Sequence, residues 1–152
     1  MRKPRRLLGI VGVGLLALAC QPEKPNSNTA SADLEAKLTS GSARTWRLQS
    51  RLVDGRSEPI QTSCRADDRW TFRQDGTTTL QNPSPCDSED PTDPSPTYSG
   101  KWRLLNQGQF LEVRDNDGTF RLGRRIVQLT DNILTWEYTG ERGALVQESW
   151  VP

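Results

Sequence analysis

The chain contains no histidine among its 152 residues. Histidine is the usual general base near neutral pH and the commonest metal ligand. Its absence excludes serine–histidine triads and cysteine–histidine pairs. Cys64 and Cys86 alone cannot supply the four ligands of a tetrahedral zinc site. We therefore expect a protein that is not an enzyme and that holds no metal or cofactor.

Carboxylates could still carry acid–base or calcium chemistry. Asp67 and Asp68 could act as an acid–base pair. Neighbours on a strand point to opposite faces, however, so we expect them to cap the entry to a hairpin. Residues 114–118, RDNDG, resemble part of a calcium loop. They lack its further oxygen ligands and its final glutamate, and a hairpin turn explains them. A solvated loop, rather than a calcium site, is expected for four more carboxylates: Asp87, Glu89, Asp90 and Asp93.

The chain also lacks an apolar run long enough to span a bilayer as a helix. The longest uncharged apolar run, residues 7–19, has thirteen residues, whereas a spanning helix needs about twenty. It follows the basic residues Arg2, Lys3, Arg5 and Arg6, as in a secretory signal. The alternative is a buried core helix, which the basic start and the polar tract after Cys20 disfavour. Residues 1–19 are therefore predicted to be a signal peptide.

The apolar run ends on Ala19 and Cys20, and "LLALAC" resembles the lipobox of bacterial lipoproteins. The resemblance implies that Cys20 carries acyl chains, palmitate among them, and becomes the mature N-terminus. The residue that follows is Gln21 rather than aspartate, which by the sorting rule of that family implies the outer membrane. The domain could face the periplasm or the outside. We expect a lipid-anchored protein of the cell envelope.

Cleavage before Cys20 changes the charge of the chain. It leaves 16 of the 20 basic residues against 19 acidic ones, a net of about −3. This balance predicts no nucleic-acid partner. It also predicts no attraction to an anionic membrane, so that attachment rests on the acyl chains of Cys20.

With Cys20 acylated, Cys64 and Cys86 remain as an even pair in an exported protein. An oxidising compartment favours a disulfide between them. The bridge would close a loop of 23 residues, counting both cysteines. Chain entropy then gives a stabilisation of about 3 kcal/mol.

The mature chain divides into a tether and one domain. Residues 20–32 are polar and contain two prolines, which predicts a flexible lipidated tether. Residues 33–152 form the domain. Its first segment, residues 32–41, predicts a short helix that ends at Gly41.

Eight short runs with turn residues between them follow at intervals of about ten residues, which indicates a β-sandwich or an up-and-down barrel. In the first, Trp46, Leu48, Ser50 and Leu52 share one face by alternation. Asp75-Gly76 predicts a hairpin turn. We expect a bulge at Gly123 and a long loop over the proline-rich residues 82–100. Eight antiparallel strands with short turns close into an all-β barrel, which removes exposed edges.

Several stretches resemble the lipocalin-like domains of small bacterial lipoproteins. They are "SARTWRLQSRLVDG", "CRADDRWTFRQDGTTTLQN", "SGKWRLLNQGQFLEV" and "RRIVQLTDNILTWEY". The resemblance implies an eight-stranded calycin-type barrel. The activities of this family are mostly unassigned, so it implies no catalytic residues.

The tryptophans on the predicted strands either pack the barrel or line a pocket. A pocket would make the protein a binding module for a small apolar ligand. The alternative is a solid barrel that works through its surface on an envelope protein, for example as a protease inhibitor. The candidate pocket residues are Trp46, Leu48, Trp70, Phe72, Trp102, Phe120, Trp136 and Tyr138.

Overall fold

A computed structural model describes residues 27–60, 64–83 and 97–152. These residues form one α-helix, α1 (Ser27–Thr39), and antiparallel strands that pair largely in chain order. The strands are β1 (Ala43–Val53), β2 (Arg56–Glu58), β3 (Arg69–Arg73), β4 (Thr77–Gln81), β5 (Thr97–Leu105), β6 (Phe110–Arg114), β7 (Phe120–Leu129), β8 (Leu134–Thr139) and β9 (Leu145–Val151).

Strand pairing closes the sheet. Each strand from β3 to β9 pairs with the next, β1 pairs with β3, and β9 returns to pair with β1. In the part of the chain that the structure describes, the short β2 pairs only with the last residues of β1, outside this ring. The predicted eight-stranded up-and-down barrel is therefore confirmed. Within the described residues, no helix is long and apolar enough to span a membrane.

The β3–β4 hairpin shows how local sequence sets the register. Trp70 and Phe72 are buried and alternate with outward-facing residues, as a half-buried strand requires. Gly76 takes the positive φ of 80° that the turn needs, and the Asp75 carboxylate accepts the N–H of Thr77 at 2.9 Å. The Asp75-Gly76 turn is confirmed.

Helix α1 closes one end of the barrel. Leu38 is fully buried, and its carbonyl accepts the indole N–H of Trp46 at 2.9 Å. Arg44 donates to the carbonyl of Lys37 and, at 2.7 Å, to that of Asp131. The helix is thereby held to the barrel at a turn between β7 and β8.

The helix begins at Ser27, inside the segment for which composition predicted a tether. No proline or glycine interrupts residues 27–39, so the helical backbone can extend toward the N-terminus from its packed end. The remaining tether residues and the signal, 1–26, lie outside the described residues.

Bulges change which side chains face inward. The register of β1 against β9 skips Gln49, so Arg51 lies opposite Glu148 on the inner face. Simple alternation predicted that Ser50 and Leu52 would stay in phase with Leu48, which is wrong beyond that residue.

The predicted bulge at Gly123 is also wrong. Gly123 pairs in register with Glu112, and the skipped residues of β7 are Arg121 and Val127. A Cβ at Gly123 would come 2.4 Å from the ring of Phe110. Glycine is needed there because the Phe110 ring lies over the backbone.

Candidate functional site

The end of the barrel opposite α1 contains a small cavity of about 30 Å³. That volume is about the size of one water molecule. Three tryptophans and two leucines line it together with five polar or charged side chains. The lining residues are Arg65, Asp68, Trp70, Leu80, Leu122, Arg124, Trp136, Tyr138, Glu148 and Trp150.

Glu148 organises the polar side of the cavity. It is 4% exposed. One carboxylate oxygen accepts the indole N–H of Trp136 at 2.7 Å, and the other accepts the hydroxyl of Tyr138 at 3.0 Å. A buried carboxylate is tolerated only when it is hydrogen-bonded and paired with a positive charge.

Arg51 supplies that charge. Its Nε lies 3.4 Å from the Glu148 carboxylate, and its guanidinium also pairs with Glu58 on β2. The bulge at Gln49 makes this possible by turning Arg51 inward. The extra strand β2 therefore supplies Glu58, which pairs with Arg51 at the surface, while Glu148 pairs with the same arginine inside the barrel.

A second arginine lies over the tyrosine of this cluster. The guanidinium carbon of Arg124 is 3.6 Å from the ring centre of Tyr138, a cation–π contact. Burial raises the pKa of Tyr138 to about 12, and the Glu148 carboxylate adds to the effect. Tyr138 therefore stays protonated and continues to donate to Glu148 at physiological pH.

Trp150 brings an unused hydrogen-bond donor to the lining. Its side chain is 2% exposed, and its indole N–H has no acceptor among the described residues. Trp136 packs against it with ring centres 5.0 Å apart. A buried donor without a partner is costly, so the site suits a water molecule or a ligand atom that accepts a hydrogen bond.

The family model for the lipocalin-like domain matches residues 43–136. The chain belongs to the lipocalin-like domain family. A crystal structure of a lipocalin-like protein from Bacteroides uniformis is similar with a TM-score of 0.48 and 15% identity, over 76% of this chain and 97% of that one. No curated protein matches the chain.

Three residues of the cavity of this lipocalin-like barrel lie beyond the matched span. Tyr138, Glu148 and Trp150 follow residue 136, where the family match ends. The match therefore covers most of the barrel but not the carboxylate that organises the polar side of its cavity.

Three predicted pocket residues line the cavity of the lipocalin-like barrel: Trp70, Trp136 and Tyr138. The other five lie elsewhere. Trp46, Leu48, Phe72 and Trp102 belong to the packed core, where Phe72 meets Trp102 edge-on at 5.9 Å. Phe120 is 53% exposed on the outer surface because the skipped Arg121 changes its phase relative to Leu122.

The sequence reading missed most of the charged lining. Glu148 carried a usable signal, because it alternates in phase with Val146 and Trp150, which are both buried. Arg124 carried the same signal, because it lies two residues after the buried Leu122 on β7. Arg51 had no such signal in the sequence, because alternation along β1 places it on the outer face.

The carboxylate candidates separate in the structure. Asp68 is buried and lines the cavity, whereas Asp67 does not. Residues 114–118 form the β6–β7 turn, in which Asp115 exchanges backbone hydrogen bonds with Gly118 and Thr119. No group of three or more metal-binding side chains occurs in the described parts of the chain. The acidic residues 87–93 lie outside them.

The cysteine predictions remain open. Cys64 begins the turn that leads into β3, beside the cavity residue Arg65. Cys20 and Cys86 lie outside the described residues. Acylation of Cys20 and the Cys64–Cys86 bridge therefore stay predictions.

Both tyrosines are expected to resist ionisation at the pH where free tyrosine titrates. Burial raises the pKa of Tyr98 as well, and the nearby Asp115 carboxylate adds to it. Phenolate absorbance of the native protein should stay flat through pH 10, the ordinary tyrosine value, whereas the urea-unfolded chain titrates there.

The same shift sets a stability window. The unfolded chain releases its Tyr138 proton near pH 10 and the native chain near 12. The contribution of Tyr138 to stability is thus complete below pH 10 and declines between pH 10 and 12. Tyr138→Phe should remove that part of the alkaline decline. A native phenolate signal that develops at pH 10 would contradict the buried placement.

Proposed function

We propose that this protein is a lipid-anchored lipoprotein of the bacterial envelope whose barrel binds a small ligand at the end opposite α1. The acyl chains of Cys20 attach it to the membrane, with the outer membrane as the destination. The role is binding rather than catalysis. The anchoring proposal is supported by the thirteen-residue apolar run that ends on Ala19-Cys20.

The observation that carries the binding proposal is the unpartnered indole N–H of Trp150 in a cavity with a tryptophan wall. The ligand offers an apolar surface to Trp70, Trp136 and Trp150 and one acceptor atom to Trp150. A cavity of about 30 Å³ admits one small group of such a ligand. Fatty acids are the first class to test, because a carboxylate oxygen is an acceptor and the chain is apolar.

The test is a fluorescence titration of residues 21–152 with fatty acids, haem and retinoids. Saturable change in tryptophan emission is expected for an apolar ligand with an acceptor group. Trp150→Phe keeps most of the aromatic surface and removes the donor, so affinity should fall about fivefold. The matched control is Trp102→Phe, in the core, where the indole donates to the carbonyl of Arg73 at 2.9 Å.

Trp102→Phe should bind the ligand within about twofold of the affinity of the unsubstituted chain, because Trp102 does not line the cavity. Titrations that stay flat with every probe would remove the binding proposal. Equal losses in the two variants would show that the donor of Trp150 is not used. The anchor is tested separately: Cys20→Ser should abolish incorporation of labelled palmitate in cells.

A protein partner is the alternative function, and one surface feature favours it. Phe120 and Leu145 are 53% and 49% exposed and line the same outer groove, together with Phe110. Exposed aromatic and aliphatic side chains that share a groove are typical of interaction sites. Under this alternative the titrations stay flat, and the partner contacts the groove.

A further inference from the structure

Charge is distributed unevenly around the barrel. Strands β1, β3, β4 and β5 are consecutive in the sheet, and they contain no aspartate or glutamate. They do contain seven basic residues: Arg44, Arg47, Arg51, Arg69, Arg73, Lys101 and Arg103. Strands β6, β8 and β9 each carry a glutamate. The net charge of the whole chain, +1, does not show this separation of basic strands from strands that carry a glutamate.

Five of these cations form no ion pair within the described segments. One of them, Arg44, donates instead to the backbone carbonyls of Lys37 and Asp131. The other four, Arg47, Arg69, Arg73 and Lys101, are here called the basic face. Asp75 lies at the edge of this face, where its carboxylate accepts hydrogen bonds from Thr77 and interacts with Arg73 through charge without forming an ion pair.

Cations on the neighbouring strands β5 to β7 include four that are paired. On β7, Arg121 pairs with Asp115 at 2.6 Å, and Arg125 pairs with Glu137. Arg103 and Arg114 share the carboxylate of Glu112, each at 2.6 Å. These four charges are neutralised by carboxylates, whereas the charges of the basic face are not.

The register of the sheet places like charges together on the basic face. Arg47 lies directly opposite Arg69, and Lys101 lies directly opposite Arg114, whose charge Glu112 already neutralises. Like charges in directly opposite positions destabilise a sheet. An anion that contacts both members of such a pair removes the repulsion, so the arrangement suits a surface that carries several negative charges.

The remainder of this surface is polar. A row of hydroxyl side chains, Thr45, Thr71, Thr79 and Ser99, crosses the four strands in register. The exposed large apolar residues Phe120, Val127 and Leu145 all lie on β7 and β9. Hydroxyls and cations without apolar anchors fit oxygen-rich anionic groups such as phosphates, rather than a protein partner that needs apolar contacts.

The chain itself indicates where such groups are found. Six residues, 21–26, separate Cys20 from the start of α1, and they span at most about 20 Å when extended. Helix α1 packs on β1, β3 and β7, and the first two of these strands carry residues of the basic face. An anchor on Cys20 therefore keeps this part of the barrel close to the membrane surface.

We propose that the basic face docks on the anionic phospholipid headgroups of the membrane that holds the anchor. This proposal rests on the proposed function for the position of the anchor at Cys20. The charge pattern of the barrel is an observation that does not depend on that function. A net charge of about −3 does not prevent this docking, because salt screens carboxylates that lie more than about 10 Å from the basic face. Docking fixes the orientation of the barrel on the membrane.

The test uses the unacylated chain of residues 21–152, which contains α1 and all eight barrel strands. Its co-sedimentation with vesicles of phosphatidylcholine alone is compared with that of vesicles that also contain phosphatidylglycerol. Binding is expected only to the anionic vesicles, and it should weaken as salt rises. Each cation near an anionic surface contributes about fivefold in affinity, so Arg47→Gln with Lys101→Gln should reduce binding about 25-fold.

The matched control is Arg121→Gln with Arg125→Gln. It removes the same charge from exposed arginines that are already paired. It should leave vesicle binding within about twofold. Equal losses in the two double variants would overturn the proposal, and so would equal binding to neutral and anionic vesicles. Because the chain is unacylated, a failure of palmitate labelling at Cys20 would not change this result.

Discussion

Replacing Glu148 with alanine is expected to lower the free energy of unfolding by about 3–5 kcal/mol. The carboxylate is buried, and three groups depend on it: the indole N–H of Trp136, the hydroxyl of Tyr138 and the guanidinium of Arg51. Its removal leaves two donors without their acceptor in a place that water reaches poorly, and it leaves Arg51 paired with Glu58 alone. Urea denaturation at neutral pH measures the loss as a lower midpoint with an unchanged slope.

Glu137→Ala is the matched control. It lies on β8, and it forms its ion pair with Arg125 on the outer surface. An exposed pair contributes little, so this variant should lose less than about 1 kcal/mol. If Glu148→Ala loses no more than the control, the carboxylate does not organise the cavity.

A double variant separates the charge from the packing. Arg51→Met with Glu148→Leu removes both members of the buried pair and leaves no buried charge unpaired, since Glu58, the other partner of Arg51, is 46% exposed. Buried ion pairs replaced by apolar residues of similar volume are often neutral or stabilising. The double variant should therefore lose less stability than Glu148→Ala, even though two residues have changed. An additive loss would show that Arg51 and Glu148 act independently.

The contrast between Glu148 and Arg51 shows how far alternation predicts this barrel. Alternation and turn residues are local, and they located all eight barrel strands and the Asp75-Gly76 turn. They also placed Glu148 in phase with Trp150. A bulge shifts the phase by one residue without any strong signal in the sequence, so Arg51, beyond Gln49, could not be assigned to the inner face.

The cavity illustrates a second limit. Whether an inward tryptophan packs or lines a space depends on the side chains that meet it from other strands. Trp46 and Trp136 follow the same alternation on their strands, but Trp46 lies under α1, while Trp136 meets Glu148 from β9. Periodicity identifies both as inward and contains no information about the opposite wall.

Gly100→Ala is expected to destabilise the barrel by about 3 kcal/mol or more, through overpacking between β5 and β6. Gly100 is buried, and a Cβ there would come 2.3 Å from the carbonyl oxygen of Arg114 and 2.2 Å from the hydroxyl of Tyr98. The tyrosine can rotate. The carbonyl belongs to the backbone of β6, which is held in register by the neighbouring Lys101–Arg114 pair. Thermal and urea denaturation of the soluble variant measure the loss.

Two variants decide which contact is responsible. Gly140→Ala is the control, because its Cβ would meet only a methyl of Val146 at 3.0 Å and a carbonyl at 3.7 Å, and the loss should stay below about 1 kcal/mol. Tyr98→Leu removes the hydroxyl clash and the clash with the ring carbon at 2.8 Å but not the carbonyl clash, so Gly100→Ala should cost about as much in that background as in the unsubstituted chain. Rescue by Tyr98→Leu would place the constraint on the side chain. Without rescue, the glycine of the "GKW" stretch is required because only a residue without a Cβ lets β6 approach β5 there.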